Sequence, residues 1–271
     1  MAPVYEVTAL RYASREARRG EHFLGFSEDW AQPHPTAYFV WLVRGAGRTV
    51  LVDAGIDPER PGSLVGPTAD LTAPHELLGE VGVDPAEVDT VVLTHLHYDH
   101  TGTVARYPNA RFVLQRDELD YWTGPWAKRL TREQWLCSAV DLGFLTDPAT
   151  SGRVDLVDGD AELAAGLSVH RVGGHTAGMQ IVRVATAAGS VVLASDAAHF
   201  TENIDLDRAF PIVNSVPHAH AAFDRALELA DSPALVVPGH DPVVLERFPP
   251  VSPRLAGRAC VIGATPRATA G

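Results

Sequence analysis

Residues 94–102 read Thr-His-Leu-His-Tyr-Asp-His-Thr-Gly, which places three imidazoles and a carboxylate within six positions, directly after the apolar run Val91-Val92-Leu93. Imidazole nitrogens and carboxylate oxygens are donors suited to zinc, iron or manganese, with zinc the default where no redox partner is in view. Alternate side chains of extended backbone share a side, so His95 and His97 point together. A turn into a following helix would carry Asp99 and His100 toward a second centre. One loop offers too few donors for two metals, so more are expected where other apolar strands end. His175 follows the run at 167–172, Asp196 the run at 191–193, and His240 the run at 234–237. Of the other histidines, His22, His34, His75, His170, His218 and His220 read as surface or core residues.

These donors need rigid elements beneath them. Residues 4–12, 38–43 and 49–52 read as strands, the last two joined by a Gly45-Ala46-Gly47 turn. A helix is expected around 74–81, and Asp84-Pro85-Ala86-Glu87 carries the signals that start another. Short β-branched runs at 91–93, 111–114, 167–172, 180–184, 191–193 and 234–237 suit buried strands, and 221–230 has the period of an amphipathic helix. A stretch with Trp122, Trp126 and Trp135 reads as a helical insertion. The fold class is α/β, with helices covering a central pair of sheets. Residues 1–248 read as one domain, and the Pro/Ala/Gly-rich residues 249–271 as a loosely packed tail.

The chain has 271 residues, 46% hydrophobic and 21% charged, the balance of a globular protein. Lys and Arg number 22 against 34 Asp and Glu, for a net charge of −12. With no basic run, nucleic acid and anionic membrane are not expected partners. The N-terminus lacks a basic segment followed by a long apolar one, so a cytoplasmic location is expected. Cys137 and Cys260 stand far apart and are expected to be free thiols.

The run at 94–102, followed by Gly173-Gly-His-Thr-Ala-Gly178, Ala194-Ser-Asp-Ala-Ala-His199 and Pro238-Gly-His-Asp-Pro242, resembles the metallo-β-lactamase superfamily in order and spacing, across roughly residues 4–248. The resemblance implies an αββα sandwich of two packed mixed sheets and two divalent metal ions, most simply Zn2+. His95, His97 and His175 would hold one, Asp99, His100 and His240 the other, and Asp196 would bridge them. Asp53 matches an aspartate that orients the ligand imidazoles from behind. True β-lactamases commonly carry Cys where Asp196 stands, flavodiiron oxidases carry Glu at the place of His97, and glyoxalase II enzymes need a larger C-terminal domain.

Within the superfamily the chain is most similar to the N-acyl homoserine lactone lactonases, in length, metal motif, mid-chain insertion and terminal Gly-His-Asp. That likeness implies a quorum-quenching hydrolase in which a metal-bridging hydroxide attacks the lactone carbonyl. Asp99 would shuttle the proton or serve only as a ligand. A homodimer is compatible with this group. Where those lactonases carry Tyr three residues after the bridging aspartate, this chain has His199, expected to donate a hydrogen bond to substrate or to line the cavity. Tyr98, Phe26, Trp30 and Phe200 are candidates for the substrate pocket, as are Trp122 and Trp126. The alternatives are hydrolysis of another lactone, ester or thioester, or a metal-binding scaffold without turnover.

Overall fold

Short β-branched and aromatic runs bounded by Gly, Pro and Asp favour strands. In the computed structural model, which describes residues 3–59 and 68–263, they do so throughout. The strands are β1 (Glu6–Arg15), β2 (Thr36–Gly45), β3 (Arg48–Val52), β4 (Thr68–Ala69), β5 (Thr90–Val92), β6 (Arg111–Gln115), β7 (Val154–Val157), β8 (Ala161–Ala164), β9 (Leu167–Arg171), β10 (Gln180–Thr186), β11 (Gly189–Ser195), β12 (Val236–Pro238) and β13 (Ala259–Ile262). One sheet runs β13-β1-β2-β3-β5-β6-β7, with β4 against β1, and the other runs β12-β11-β10-β9-β8. Both are mixed: β3, β5, β6 and β7 pair in parallel, as do β11 and β12, while the remaining pairs are antiparallel.

Successive side chains of a strand face opposite sides of its sheet. Val50, Val52, Val92 and Val113 therefore turn inward and meet Val169, Val182, Val184 and Leu193 of the second sheet. Their neighbours Leu51, Val91, Phe112 and Leu114 turn outward. The helices are α1 (Pro74–Glu80), α2 (Tyr98–Thr101), α3 (Arg116–Thr123), α4 (Pro125–Arg129), α5 (Ala139–Thr146), α6 (Thr201–Asp205), α7 (Val216–Leu229) and α8 (Val244–Arg247). Leu77 and Leu78 of α1, Trp122 of α3 and Leu145 of α5 cover the first sheet. Ala219, Ala222, Phe223 and Ala226 of α7 cover Ile181, Val192 and Ala194 of the second. The result is the αββα sandwich, with α3 to α5 forming the insertion.

Two expectations change in detail. Pro85–Glu87 makes a single 3-10 turn, capped by Asp84, rather than a helix. The chain must straighten there, because Asp89 bonds to Thr49 through both its amide and its carboxylate and leads directly into β5. Residues 249–263 are not a loose tail. β13 pairs antiparallel with β1, setting Ile262 opposite Val7, and Cys260 and Ile262 are each 1% exposed. The Pro- and Gly-rich residues supply the turns that return the chain to the open edge of β1, where its backbone groups need partners. The packed body thus extends past residue 248; residues 264–271 of that segment lie outside the described residues. Both cysteines are free. No helix of the described residues is long and apolar enough to cross a membrane.

If β13 is part of the body, Ile262→Ala leaves a cavity between the sheets and costs about 2–4 kcal/mol, lowering the melting temperature by roughly 5–15 °C. Thermal unfolding followed by circular dichroism checks this, and an unchanged melting temperature would mean that the segment does not support the core.

Candidate metal centre

The ends of β3, β5, β9, β11 and β12 open at one edge of the sandwich, and there the expected donors meet. His95 and His97 lie on the loop after β5, Asp99 and His100 on α2, His175 beyond β9, Asp196 directly after β11, and His240 beyond β12. All seven are buried. Donor atoms of His95, His97 and His175 lie within 4.8 Å of one another, as do those of Asp99, His100 and His240. Asp196 stands between the two groups. Its Oδ2 is 3.3 Å from His175 Nε2 and 4.0 Å from His95 Nε2, its Oδ1 is 3.4 Å from His100 Nε2, and His240 Nε2 reaches both, at 3.1 Å from Oδ1 and 3.2 Å from Oδ2. Asp99 Oδ2 closes the second group, 3.6 Å from His100 Nε2 and 3.8 Å from His240 Nε2.

Asp53 ties these loops together from behind. Its carboxylate accepts from the Thr94 amide at 2.8 Å, from the hydroxyls of Thr94 and Ser195, and from His100 Nδ1 at 2.8 Å. Thr94 and Ser195 each immediately precede a donor, so one carboxylate registers three strand ends. Asp53 and Ser195 both adopt positive φ, 63° and 46°, a backbone state that non-glycine residues hold only when their surroundings enforce it. Gly239 allows the last loop to close: a Cβ there would stand 2.6 Å from Asp196 Oδ1.

Other partners aim the rings. His240 Nδ1 bonds the Ala37 carbonyl at 2.9 Å and His175 Nδ1 the Ile212 carbonyl at 2.8 Å, which requires Nδ1–H and, in the neutral ring, turns each Nε2 lone pair to the centre. Burial holds His95 and His175 well below the ordinary imidazole value and His97 down at about 3, so these three are neutral donors. Burial alone would raise the Asp196 carboxyl, but His240, His100 and His199 outweigh it and hold Asp196 well below the carboxylate range. The fit to divalent cations rests on the donors themselves. His95 Nε2, His100 Nε2 and Asp196 Oδ1 are buried with no hydrogen-bond partner, and orphaned buried polar atoms are costly unless something binds them.

Two cavities, of about 180 and 90 Å³, meet over the centre and share His97, Trp135, Leu136, His175 and Ile212. Tyr98 and Asp99 line the smaller, beside Arg15, His22 and Tyr38; Trp122 lines the larger, edge-on to His97 at 5.6 Å. The other aromatic candidates stand elsewhere. Phe26 and Trp30 are 82% and 53% exposed and line neither cavity, and Trp126 is exposed too. Phe200 packs on His22 and His34 and faces a separate cleft of about 660 Å³ that none of the seven donors lines. His199 stacks on Phe210 with Nε2 turned toward Asp196.

Glu118 is a functional residue that the sequence does not mark. Fully buried on α3, it accepts from the amides of Leu96 and Gly178 and from Trp122 Nε1, clamping the His95–His97 loop to the His175 loop. Gly178 must be glycine for this, since a Cβ would fall 2.3 Å from the Glu118 amide nitrogen. An acid in a first helical turn ordinarily serves the helix terminus, so nothing in its spacing marks it. His22 is a core residue as expected, 4% exposed and 2.9 Å from Thr36 Oγ1, and it also borders the smaller cavity; burial drives it down to about 2 and leaves it neutral.

Because Asp53 orients His100 and positions the loops, Asp53→Asn should weaken metal binding by about 10–100-fold while the fold persists. Competition with a chromophoric chelator measures this, and wild-type affinity would contradict the assigned role. Glu118→Ala strands two buried amides, each worth about 1–3 kcal/mol, and should unfold at markedly lower denaturant; an unmoved midpoint would remove Glu118 from the scaffold.

A family profile described as the metallo-beta-lactamase superfamily matches residues 35–240. In sequence the chain is similar to the N-acyl homoserine lactonase AttM of Azorhizobium caulinodans, 32% identical over 176 residues that cover 60% of this chain and 61% of that protein. It is also similar to the N-acyl homoserine lactonase AiiB of Agrobacterium fabrum, 29% identical over 222 residues, or 74% of this chain and 78% of the relative. The match to AttM thus spans about three-fifths of that relative's length. In fold the chain resembles a quorum-quenching N-acyl homoserine lactone lactonase, with a TM-score of 0.72 and 18% identity over 89% of this chain and 93% of the other. A second likeness is to AidC, a dizinc quorum-quenching lactonase, with a TM-score of 0.68 and 16% identity over 89% of each chain. The sandwich, the order of its donors and the match over residues 35–240 agree: the chain belongs to the metallo-β-lactamase superfamily.

Proposed function

We propose that this chain is a dinuclear-metal hydrolase that opens the lactone ring of N-acyl homoserine lactones. The observation that carries the reading is the place of Asp196, one carboxylate within reach of two separate groups of buried donors. The relatives named N-acyl homoserine lactonase support the choice of substrate. His95, His97 and His175 would hold one cation, Asp99, His100 and His240 the other, with Asp196 between them. Two such cations, zinc by default, acidify water and polarise an ester carbonyl when bound.

The chain's own residues then divide the work. In net terms water adds at the lactone carbonyl carbon, the bond to the ring oxygen breaks, and that oxygen leaves with a proton. Asp99 lines the smaller cavity and is the residue placed to carry the proton. Tyr38, pushed up to about 12 chiefly by burial, keeps its hydroxyl proton and offers a neutral donor on the same wall. Tyr98, Trp135, Leu136 and Ile212 narrow the approach and limit water at the reacting bond. The larger cavity, lined by Tyr121, Trp122, Pro211 and Ile212 beside Arg132, Glu133 and Asn214, adjoins the donors, whereas Phe26, Trp30 and Phe200 do not line it. A second reading, hydrolysis of a different lactone, ester or thioester, draws on His199 standing where the lactonase group carries Tyr.

The test is mass spectrometry of short- and long-chain N-acyl homoserine lactones after incubation with zinc-loaded protein, beside a chelated control. The expected result is gain of one water only with metal. No gain above the control would move the substrate to another ester class, and no hydrolysis in any class would leave a metal-binding scaffold. His97→Ala should lower bound metal and slow turnover by more than about 100-fold, beyond the loss typical of residues that only orient a ligand. Retained metal and rate would contradict the proposed centre.

A further inference from the structure

The seven donors of the superfamily pattern do not exhaust the nitrogen aimed at this centre. Among the described residues, His199 Nε2 is also buried without a hydrogen-bond partner, as His95 Nε2, His100 Nε2 and Asp196 Oδ1 are. It lies 3.2 Å from Asp196 Oδ2, an oxygen that His175 Nε2 approaches at 3.3 Å and His240 Nε2 at 3.2 Å; of these two rings it is His175 whose donor atom falls with those of Asp196 and His199 in one group within 4.8 Å. Metal bonds of 2.0–2.2 Å place neighbouring donors around one ion roughly 3.0–3.4 Å apart. The His199–Asp196 and His175–Asp196 contacts both have that length.

The backbone and the neighbouring rings set this position. Ala197 and Ala198 donate back to Ala194 and Ser195 in a tight turn that brings residue 199 over Asp196. The His199 carbonyl accepts the His240 amide at 2.9 Å, tying this turn to another donor loop. The ring stacks on Phe210 at 4.1 Å and 25° and meets His175 and His240 edge-on, at 5.0 and 5.3 Å. Held on three sides, the ring borders the smaller cavity from a position that the Phe210 stack fixes.

Resting on the metal reading above, we infer that His199 is an additional ligand, binding through Nε2 the same cation as His175 and Asp196. It replaces the substrate hydrogen bond expected of His199 from sequence. The two cations are then unequal. The one bound through His175 gains a nitrogen donor from His199, so it binds more tightly and offers fewer open positions. The one held by Asp99, His100 and His240 keeps more room for the lactone carbonyl.

Cobalt(II) tests this without relying on turnover. In the wild-type cobalt-loaded protein, hyperfine-shifted exchangeable imidazole N–H signals should number one more than His95, His97, His100, His175 and His240 can give. His199→Phe, which keeps a ring against Phe210, should lose that signal, weaken the tighter of two cobalt affinities at least 10-fold and intensify the visible absorption as coordination number falls. Wild-type signals accounted for by those five histidines alone, or a folded His199→Phe protein with unchanged affinities and spectrum, would overturn the inference while leaving the dinuclear reading intact. If His199→Phe does not fold, the wild-type signal count decides. Failure of the wild type to bind cobalt would sink the dinuclear reading and this inference together.

Discussion

The Asp53 carboxylate is the constraint on which the centre depends. It sits at the end of β3 in a backbone state that favours glycine, and it gathers Thr94, Ser195 and His100 from two other strand ends. A buried carboxylate survives only with its lone pairs satisfied, and here the groups that satisfy it are those next to the donors or a donor itself. The loops after β3, β5 and β11 are thereby locked to one another. Glu118 does the corresponding work on the other flank, joining the loop of His95 and His97 to that of His175. Between these clamps the donors are brought too close for each to find its own hydrogen-bond partner, and atoms are left orphaned at the centre.

The sheets make that arrangement rigid. Valines of β3, β5 and β6 pack on valines of the second sheet, so strand ends from both halves of the chain come to one edge with little freedom. Charge then divides the centre. His95, His97 and His175 are kept neutral by burial, whereas Asp196, Asp99 and Asp53 raise His100 and His240 above the ordinary imidazole value against the effect of burial. For His240 the carboxylates are Asp196 and Asp99 alone. A neutral face and a carboxylate-rich face on either side of Asp196 is an arrangement that two cations of unequal environment would complete.

Much of this was legible in the sequence because the chemistry is dense there. Three imidazoles and an acid around one short loop, and further donors each just past a β-branched run, point to an edge of a sandwich before any coordinates are seen. The clamps were legible only in part. Asp53 stood out through its resemblance to a known pattern, but Glu118 looks like any acid in a first helical turn, and its role exists only once α3 packs behind two loops. Aromatic residues carry no label that separates core, pocket and surface: Trp122 reached the cavity, while Phe26 and Trp30 remained outside it. Residues 249–263 look like a tail because composition describes only their turns, and the short run Ala259–Ile262 gains its meaning from the open edge of β1.

The central claim, that the clustered donors form a two-cation centre around Asp196, is tested most directly by anomalous diffraction at the zinc absorption edge from zinc-loaded crystals. Two peaks should appear, one among His95, His97 and His175 and one among Asp99, His100 and His240, with Asp196 adjacent to both. A single peak, or none within this cluster, would contradict the account.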